Sequence, residues 1–522
     1  MNMHSLDLSM IERDDRAFVM QRLSPFPAPI QHLLLNQYLS HATKFERNSY
    51  LRITTNQLAE SLSLPLHKLE LNLSEEELRV KAKALAGEVL ERRRRCRNDD
   101  RALPMVREFV SKQGITPYQG QYTQVGELAR YSHHRWWVAK LRKALRRNIE
   151  TVMHHLNQVN KRKGLYCSTP TLIARKQQKA YQKAFLENTI ATNELGQSFS
   201  LYELSQKGVS NPVIRRGELM LRARGFEDLA KELGHVATFL TFTCPSKYHR
   251  SYSSSGHENP QWGGYTPLDG QSYLNQIWQQ MRATLSRLDV RFYGFRVAEP
   301  QHDGTPHWHL LLFVEPKEYQ TMVNVMRDYA MREDGDEKGA DQHRFTEVKI
   351  DPSKGSATGY IAKYIAKNID GGNLETGVYG EDPKAAAARV DAWAACWGIR
   401  QFQQLGGCSV TVWRELRRLK EVQGLPEHAK IILEAADKGD WKTFTQAMGG
   451  VFSQRKAQVF KPHYEFTVDT NTGVIKCSYY CESELMRSLK GVVIAGRSII
   501  TRVFTWRLAS MVRQSFNLEF CE

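Results

Sequence analysis

Two short patterns in this 522-residue chain could do chemistry: a His-Trp-His triplet, His307 to His309, and two tyrosines four residues apart, Tyr360 and Tyr364. Two imidazoles on one face of a strand can chelate a divalent cation. Two tyrosine hydroxyls on one helical face can serve as nucleophiles. Together the patterns predict a metal site that faces a pair of nucleophiles.

The triplet begins an apolar run bounded by Pro306 and Pro316, which is typical of a β-strand. Side chains alternate along a strand, so His307 and His309 share one face and Trp308 takes the other. The chain has 17 histidines, and a triplet of this kind also arises by chance. The triplet alone therefore also fits two structural histidines.

A predicted hairpin supplies a third metal ligand. Residues 291–298 are rich in aromatic residues and valine, and the following Asp303-Gly304 pair is a strong hairpin signal. The hairpin places Glu299 beside the two histidines, whereas His302 lies in the turn and is a less favoured ligand. Two imidazoles and one carboxylate leave open positions on Mg²⁺ or Mn²⁺ for a phosphate oxygen.

The two tyrosines lie in residues 360–369, where apolar residues recur with helical spacing. At about 100° per residue, Tyr360, Tyr364, Lys363 and Lys367 all fall on the polar face. Either lysine could stabilise a phenolate or the charge that develops at phosphorus. The alternative is an ordinary surface helix that half-buries its tyrosines and extends its lysines into solvent.

The elements around these residues follow the order βαββαβ and then a helix. Residues 236–243 and 345–350 have the composition of strands, and 273–288 and 317–331 have helical spacing. This order predicts an α+β domain with a ferredoxin-like, split βαβ fold. Such a fold has an antiparallel sheet with helices on one face.

Residues 91–150 form a second candidate region, with 15 Lys and Arg against six Asp and Glu in a chain of net charge +17. Basic groups neutralise phosphates, and tryptophans stack on unpaired bases, so this region favours nucleic-acid binding. The alternative is a solvated basic helix with its tryptophans in the core. The candidate DNA contacts are Arg92, Arg93, Arg94, Arg95, Arg135, Trp136, Trp137, Lys140, Arg142 and Lys143.

Length and composition bound the remaining possibilities. The length predicts several domains, which we place at 1–90, 91–235, 236–400 and 401–522. No run of about 18 apolar residues occurs, so no transmembrane helix is expected. The eight cysteines are scattered and are expected to be reduced thiols rather than a zinc site. No GxxxxGK[ST] motif occurs, so no fused P-loop helicase is expected.

Three longer strings resemble the replication gene A proteins of temperate tailed phages, a branch of the HUH endonucleases. They are TFLTFTCPSKYH (238–249), EPQHDGTPHWHLLLF (299–313) and YIAKYIAKNI (360–369). The similarity covers about residues 165–420. It implies an HUH domain with the histidines on a central strand. The residue pattern outside this domain predicts a largely helical N-terminal region and a small C-terminal region.

The resemblance also implies a rolling-circle replication initiator that nicks the phage origin by tyrosine attack. The expected products are a 5′-phosphotyrosine and a free 3′-hydroxyl, and the second tyrosine serves termination and religation. The implied partners are single-stranded DNA at the phage replication origin and the host helicase and DNA polymerase, in the host cell cytoplasm and without a membrane.

The residues by themselves imply only metal-assisted phosphoryl transfer. Two alternatives stay open at this point. One is a relaxase or rolling-circle transposase of another mobile element, which uses the same chemistry. The other is a non-enzymatic, basic nucleic-acid-binding protein with a ferredoxin-like domain.

Overall fold

The computed structural model describes residues 8–510, except 63–64, 66–68, 373–374, 378, 420–421 and 470–471. It is a mixed α and β structure with antiparallel sheets, in agreement with the predicted α+β class. Among the described residues, no helix is long and apolar enough to span a membrane. The seven described cysteines are free thiols.

Helices form the first part of the chain, and they enclose two apolar cores. One core lies between α4, α5, α6 and α7, and the other joins α1 to α3 with the end of α7. The bounds are α1 (Arg13–Leu23), α2 (Ala28–Ser40), α3 (Lys44–Ser61), α4 (Glu75–Arg94), α5 (Asp99–Lys112), α6 (Gln124–Tyr131), α7 (His134–His155) and α8 (Thr169–Glu187).

A five-stranded antiparallel sheet with the order β6-β3-β5-β4-β7 forms the centre of the structure. Four elements precede it: β1 (Thr189–Asn193), β2 (Ser198–Ser200), α9 (Leu201–Gln206) and α10 (Pro212–Leu233). The sheet and its connections comprise β3 (Val236–Phe242), α11 (Pro267–Arg287), β4 (Phe292–Pro300), β5 (Pro306–Val314), α12 (Tyr319–Met331), α13 (Ala340–His343), β6 (Phe345–Lys349), α14 (Ala357–Ile369), α15 (Pro383–Trp397) and β7 (Phe402–Leu405).

The last part of the chain packs against the central sheet, and its final strand pairs with a strand that precedes that sheet in the sequence. Strands β8, β9 and β10 form a small antiparallel sheet, and β11 pairs with β1. The bounds are α16 (Val410–Leu416), α17 (Glu427–Lys438), α18 (Trp441–Ala447), β8 (Lys461–Phe466), β9 (Arg487–Ile494), β10 (Arg497–Ile500) and β11 (Trp506–Ser510).

Helices cover both faces of the central sheet, so the prediction of helices on one face is wrong. Leu310 and Leu312 face a core built with α11, α12 and α15. Leu311 and Phe313 face the opposite core, built with α10, α14 and α16 to α18. The physical reason is the unbroken apolar run of β5, which requires cover on both sides of the sheet.

The three predicted domain boundaries fall inside packed units. Helix α4 crosses the boundary at 90 and packs along α7. Helix α10 precedes the boundary at 235 but shares an apolar core with the sheet. Strand β7 follows the boundary at 400 but pairs with β4. The ends of the first and last predicted regions, residues 1–7 and 511–522, lie outside the described residues.

Candidate active site

The hairpin of β4 and β5 brings three metal-ligating side chains together. Glu299 lies opposite His307 in the strand register. The Nε2 atoms of His307 and His309 lie 3.8 and 3.7 Å from Glu299 Oε2, while Trp308 packs into the core on the other face. Within the described ranges, this is the one group of three His, Cys, Asp or Glu side chains placed to hold a metal ion.

Burial sets the protonation of the two histidines. It is the main cause that lowers the pKa of His307 to about 3, and Lys367 lowers this pKa further. Burial also holds the pKa of His309 well below its usual value. Burial raises the pKa of Glu299, and Lys367 opposes that change. Both imidazoles are therefore neutral at pH 7, which is the form that binds a metal.

The donor atoms of this group fit a divalent cation. Among the residues that the structure describes, His309 Nε2 has no hydrogen-bond partner, and burying it in this way costs free energy unless a ligand satisfies it. A hydrogen bond of 3.0 Å joins His309 Nδ1 to Thr241 Oγ1 on β3 and fixes the ring. Glu299, His307 and His309 could therefore hold the cation, with Thr241 supporting the last of them.

Glu299 also has two partners at the end of helix α14. Lys367 Nζ lies 3.1 Å from Glu299 Oε2, and the Asn368 side-chain amide donates to Glu299 Oε1. Gln401 Nε2 in turn donates to Asn368 Oδ1 at 3.1 Å. The sequence predicts a catalytic role for Lys367, whereas the structure directs its buried ammonium group to the carboxylate. Lys363 is exposed.

Helix α14 presents the two tyrosines to different parts of the site. Ser356 caps the start of the helix, and apolar residues hold it against the sheet. The half-buried ring of Tyr364 lies 3.9 Å from the His309 ring, centroid to centroid. Tyr360, one turn earlier, is 39% exposed. The structure therefore brings Tyr364 against a metal-ligand candidate and leaves Tyr360 at the rim.

The Tyr364 hydroxyl needs activation before it can act as a nucleophile. Burial raises its pKa above the usual value near 10, and the Glu299 carboxylate raises it further. The phenolate is therefore disfavoured unless positive charge lies nearby. Lys363 and Lys367 lie on the same helix, but Lys363 is exposed and Lys367 is paired with Glu299.

The two tryptophans of the basic region are not available to DNA. Trp137 is fully buried, and its indole N–H donates to the Tyr131 carbonyl. Trp136 is 4% exposed, and its indole donates to Tyr118 Oη. The prediction that they stack on bases is therefore wrong, because their ring faces pack in the core between α4 and α7.

Most of the basic candidates on α4 and α7 contact other side chains of the protein. The guanidinium of Arg135 lies 4.8 Å from the Tyr479 ring, and the ammonium of Lys140 lies 5.3 Å from the Tyr118 ring. Arg95 and Lys143 are exposed. Four arginines pair with carboxylates: Arg92 with Glu88, Arg93 with Asp99, Arg94 with Glu91 and Arg142 with Glu75.

Three residues join the site only through the fold. Thr241 lies opposite His309 in the register of β3 and β5, so strand alignment could have found it. Asn368 follows Lys367 directly, so the helical spacing that indicated Lys367 could also have indicated Asn368. Gln401 lies about 100 residues beyond Glu299, and no local signal points to it.

Comparison with known proteins places the chain in a family. The model of the bacteriophage replication gene A protein (GPA) matches residues 54–372, which is more than half of the chain. That span includes Glu299, both histidines and both tyrosines. No solved structure matches the chain.

Two relatives are named replication gene A protein. That of Escherichia phage 186 is 40% identical over 383 residues, covering 72% of this chain and 54% of the relative. That of Escherichia phage P2 is 35% identical over 403 residues, covering 74% and 52%. A Salmonella typhi relative named probable replication endonuclease from prophage-like region 1 is 35% identical over 357 residues, covering 65% and 44%. This chain spans about half the length of these relatives and belongs to the bacteriophage replication gene A protein family.

Proposed function

We propose that this chain initiates phage DNA replication by nicking one strand at the origin through tyrosine attack. The observation that carries the proposal is the contact between the rings of Tyr364 and His309, within the buried group of Glu299, His307 and His309. The strand order β6-β3-β5-β4 is that of a split βαβ unit, which supports a ferredoxin-like HUH domain with β7 added at its edge.

Glu299, His307 and His309 would hold Mg²⁺ or Mn²⁺. When bound, the cation would neutralise and orient the scissile phosphate. Thr241 fixes the His309 ring, and Asn368 fixes the Glu299 carboxylate. These supports keep the ligands in place before the DNA arrives.

Tyr364 and Tyr360 supply the nucleophilic oxygens. In the proposed step, a tyrosine oxygen bonds to phosphorus and gives up its proton, while the bond from phosphorus to the 3′ oxygen breaks. The 3′ oxygen takes up a proton, so the products are a 5′-phosphotyrosine and a free 3′-hydroxyl. Lys363 is exposed on the same helix and can stabilise charge on the phosphate.

Two tyrosines allow the reaction to be reversed at the end of a replication round. The 3′-hydroxyl primes synthesis by the host polymerase, with strand separation by a host helicase, in the host cytoplasm. The second tyrosine then cleaves the regenerated origin while the first still holds the 5′ end. The new 3′-hydroxyl attacks the first ester and closes the strand. The relative named replication endonuclease supports the nuclease part of this proposal.

A nicking assay tests the proposal. The full chain is incubated with end-labelled single-stranded origin oligonucleotides and Mn²⁺, and the products are separated on denaturing gels. We expect one shorter DNA product and one protein-linked product, both abolished by EDTA. If the folded protein binds the DNA but never cleaves it, the alternative of a non-enzymatic nucleic-acid-binding protein would be favoured. Cleavage with strand transfer but without origin-dependent replication would favour a relaxase or transposase.

A further inference from the structure

A polar groove runs along the edge strand β7, outside the candidate active site. Its volume is about 920 Å³, and it is lined by the second half of α11, by β7 and by the segment 451–464. One acidic residue, Asp289, lines the groove. Four basic residues line it: Arg282, Arg291, Arg400 and Arg455.

In the described part of the chain these four arginines are only weakly compensated, the Glu315 carboxylate being close enough to Arg291 for Arg291 to lower its pKa. All four are exposed, and none forms an ion pair within the part of the chain that the structure describes. Arg291 lies over the Phe452 ring at 4.8 Å, and Arg400 Nε donates to the Phe402 carbonyl at 3.0 Å. Most of their N–H donors are left for an external acceptor. A concentrated positive surplus of this kind suits a polyanion.

One end of the groove, at Arg400, is one residue away from a chain of contacts that leads to the candidate active site, although none of the site's own residues lines the groove. Gln401, the first residue before β7, bonds to Asn368, which holds Glu299. Arg400 precedes Gln401 and lines the groove, and Leu405 lines it at the other end of the strand. The distance along β7 between these two lining residues is about 17 Å, at roughly 3.4 Å per residue.

The remaining lining side chains suit unpaired bases. Tyr464 is 51% exposed and offers a ring to a base, whereas the Phe452 ring packs against Arg291 and Tyr293. Gln403 and Gln454 add hydrogen-bonding groups. Arginines that follow a backbone, together with an exposed aromatic ring on which a base can stack, are typical of sites for single-stranded nucleic acid.

We propose that this groove binds the single-stranded DNA that continues from the scissile phosphate. A stacked strand of about five nucleotides fits its length, at roughly 3.4 Å per nucleotide. This inference rests on the proposed function, because it takes DNA as the substrate of the neighbouring site. The groove would then fix the direction in which the strand leaves the tyrosines.

A charge-removal variant tests the groove. Arg282, Arg291, Arg400 and Arg455 are replaced by Gln together, and a matched control replaces four exposed basic residues elsewhere: Arg13, Arg52, Lys83 and Lys338. Binding of fluorescent single-stranded oligonucleotides is measured in EDTA over a range of salt concentrations. We expect the groove variant to lose affinity at least about tenfold and its salt slope to fall by roughly 2.8, at about 0.7 per phosphate contact.

Oligonucleotide length gives the second measurement. The groove variant should lose much affinity for DNA that extends on one side of the nick site, and little affinity for DNA that stops at the nick site. An unchanged salt slope, or an equal loss for both lengths, would overturn the proposal. Matched thermal unfolding of both variants guards against misfolding, and the single Arg455→Gln variant should show a slope change of about 0.7 on its own.

The nicking assay separates this inference from the proposed function. Wild-type protein that never cleaves DNA, with a groove variant that still loses affinity, would sink the proposed function and keep the groove. If the wild type cleaves DNA and the groove variant keeps its DNA affinity and salt slope, the proposed function would stand and the groove proposal would be refuted. Iodouracil placed at successive positions should also crosslink to peptides from 400–411 or 451–464, and crosslinks confined to other peptides would contradict the groove.

Discussion

Lys367 and Glu299 form a buried ion pair, with 3.1 Å between Nζ and Oε2, inside the group of side chains that could hold a metal ion. A buried carboxylate requires a compensating charge. Lys367 supplies that charge in the structure described here, and a bound cation would supply a second one. The stability of the site and its metal affinity are therefore linked through one residue.

The first prediction concerns this pair. Lys367→Met should destabilise the protein in EDTA by about 3–5 kcal/mol, because it leaves a buried carboxylate without its partner. Mn²⁺ should then raise the Tm of this variant more than that of the wild type, since the cation replaces the missing charge. Thermal unfolding with and without Mn²⁺ measures both effects. Lys83→Met, at an exposed position on α4, is the control, and equal Mn²⁺ shifts in all three proteins would contradict the prediction.

The second prediction concerns the ligands. His307→Ala or His309→Ala should abolish cleavage with DNA affinity nearly intact, because basic surfaces supply most of that affinity. Glu299→Ala should weaken metal affinity more than DNA affinity.

Thr241→Val should lower metal affinity by about 10–100-fold, because it removes the hydrogen bond that supports the His309 ring. Gel assays and metal titrations measure these effects, with His257→Ala as the control. Full nicking by the double-histidine variant would refute the metal site.

The third prediction concerns the tyrosines. Tyr360→Phe and Tyr364→Phe should differ in degree, with the larger effect at Tyr364 because it contacts His309. At least one single variant should still nick DNA, whereas the double variant should form no covalent adduct. Replication should require both hydroxyls. Mass spectrometry of the trapped adduct decides the assignment, and a phosphopeptide outside 360–364 would be incompatible with it.

The fourth prediction separates structure from binding in the basic region. Trp137→Ala should cost about 3–5 kcal/mol of stability, because it removes a fully buried side chain. Replacing the exposed Arg95 and Lys143 by Gln should leave stability unchanged. If these two contact phosphates, the salt slope of DNA binding should fall by roughly 1.4. An unchanged slope would show that this charge is a solvated surface.

The fifth prediction concerns acid stability. Burial, followed by the nearby Arg250, lowers the pKa of His155 from 6.5 to about 4. Between these values the unfolded chain binds the proton and the folded chain does not, so the free energy of unfolding falls as pH falls from 6.5 to 4. The loss is at most about 3 kcal/mol. Denaturant unfolding across this window should show that the free energy of unfolding depends less on pH in His155→Gln than in the wild type. His32→Gln, at an exposed position, should match the wild type.

Much of the candidate site was predictable because its parts are local in sequence. The two-residue period of a strand places His307 and His309 together, and one hairpin turn brings Glu299 to them. The pairing of Lys367 with Glu299 was not predictable, because a helical wheel shows the face on which a side chain lies but not which residue of another element it contacts. The burial of Trp136 and Trp137 depends on packing between distant helices. The unbroken apolar run of β5 already indicated a sheet covered on both faces.

The pairing of β7 with β4 determines where this protein can be shortened. Ending the chain at residue 400 would remove the last strand of the central sheet and leave the backbone groups of β4 that face β7 without partners. It would also uncover the apolar surface that α16 to α18 protect. An unpaired strand edge beside exposed apolar surface favours association between molecules. Fragments cut at 400 should therefore aggregate, and a well-behaved nuclease fragment must begin before α10 and extend through β10.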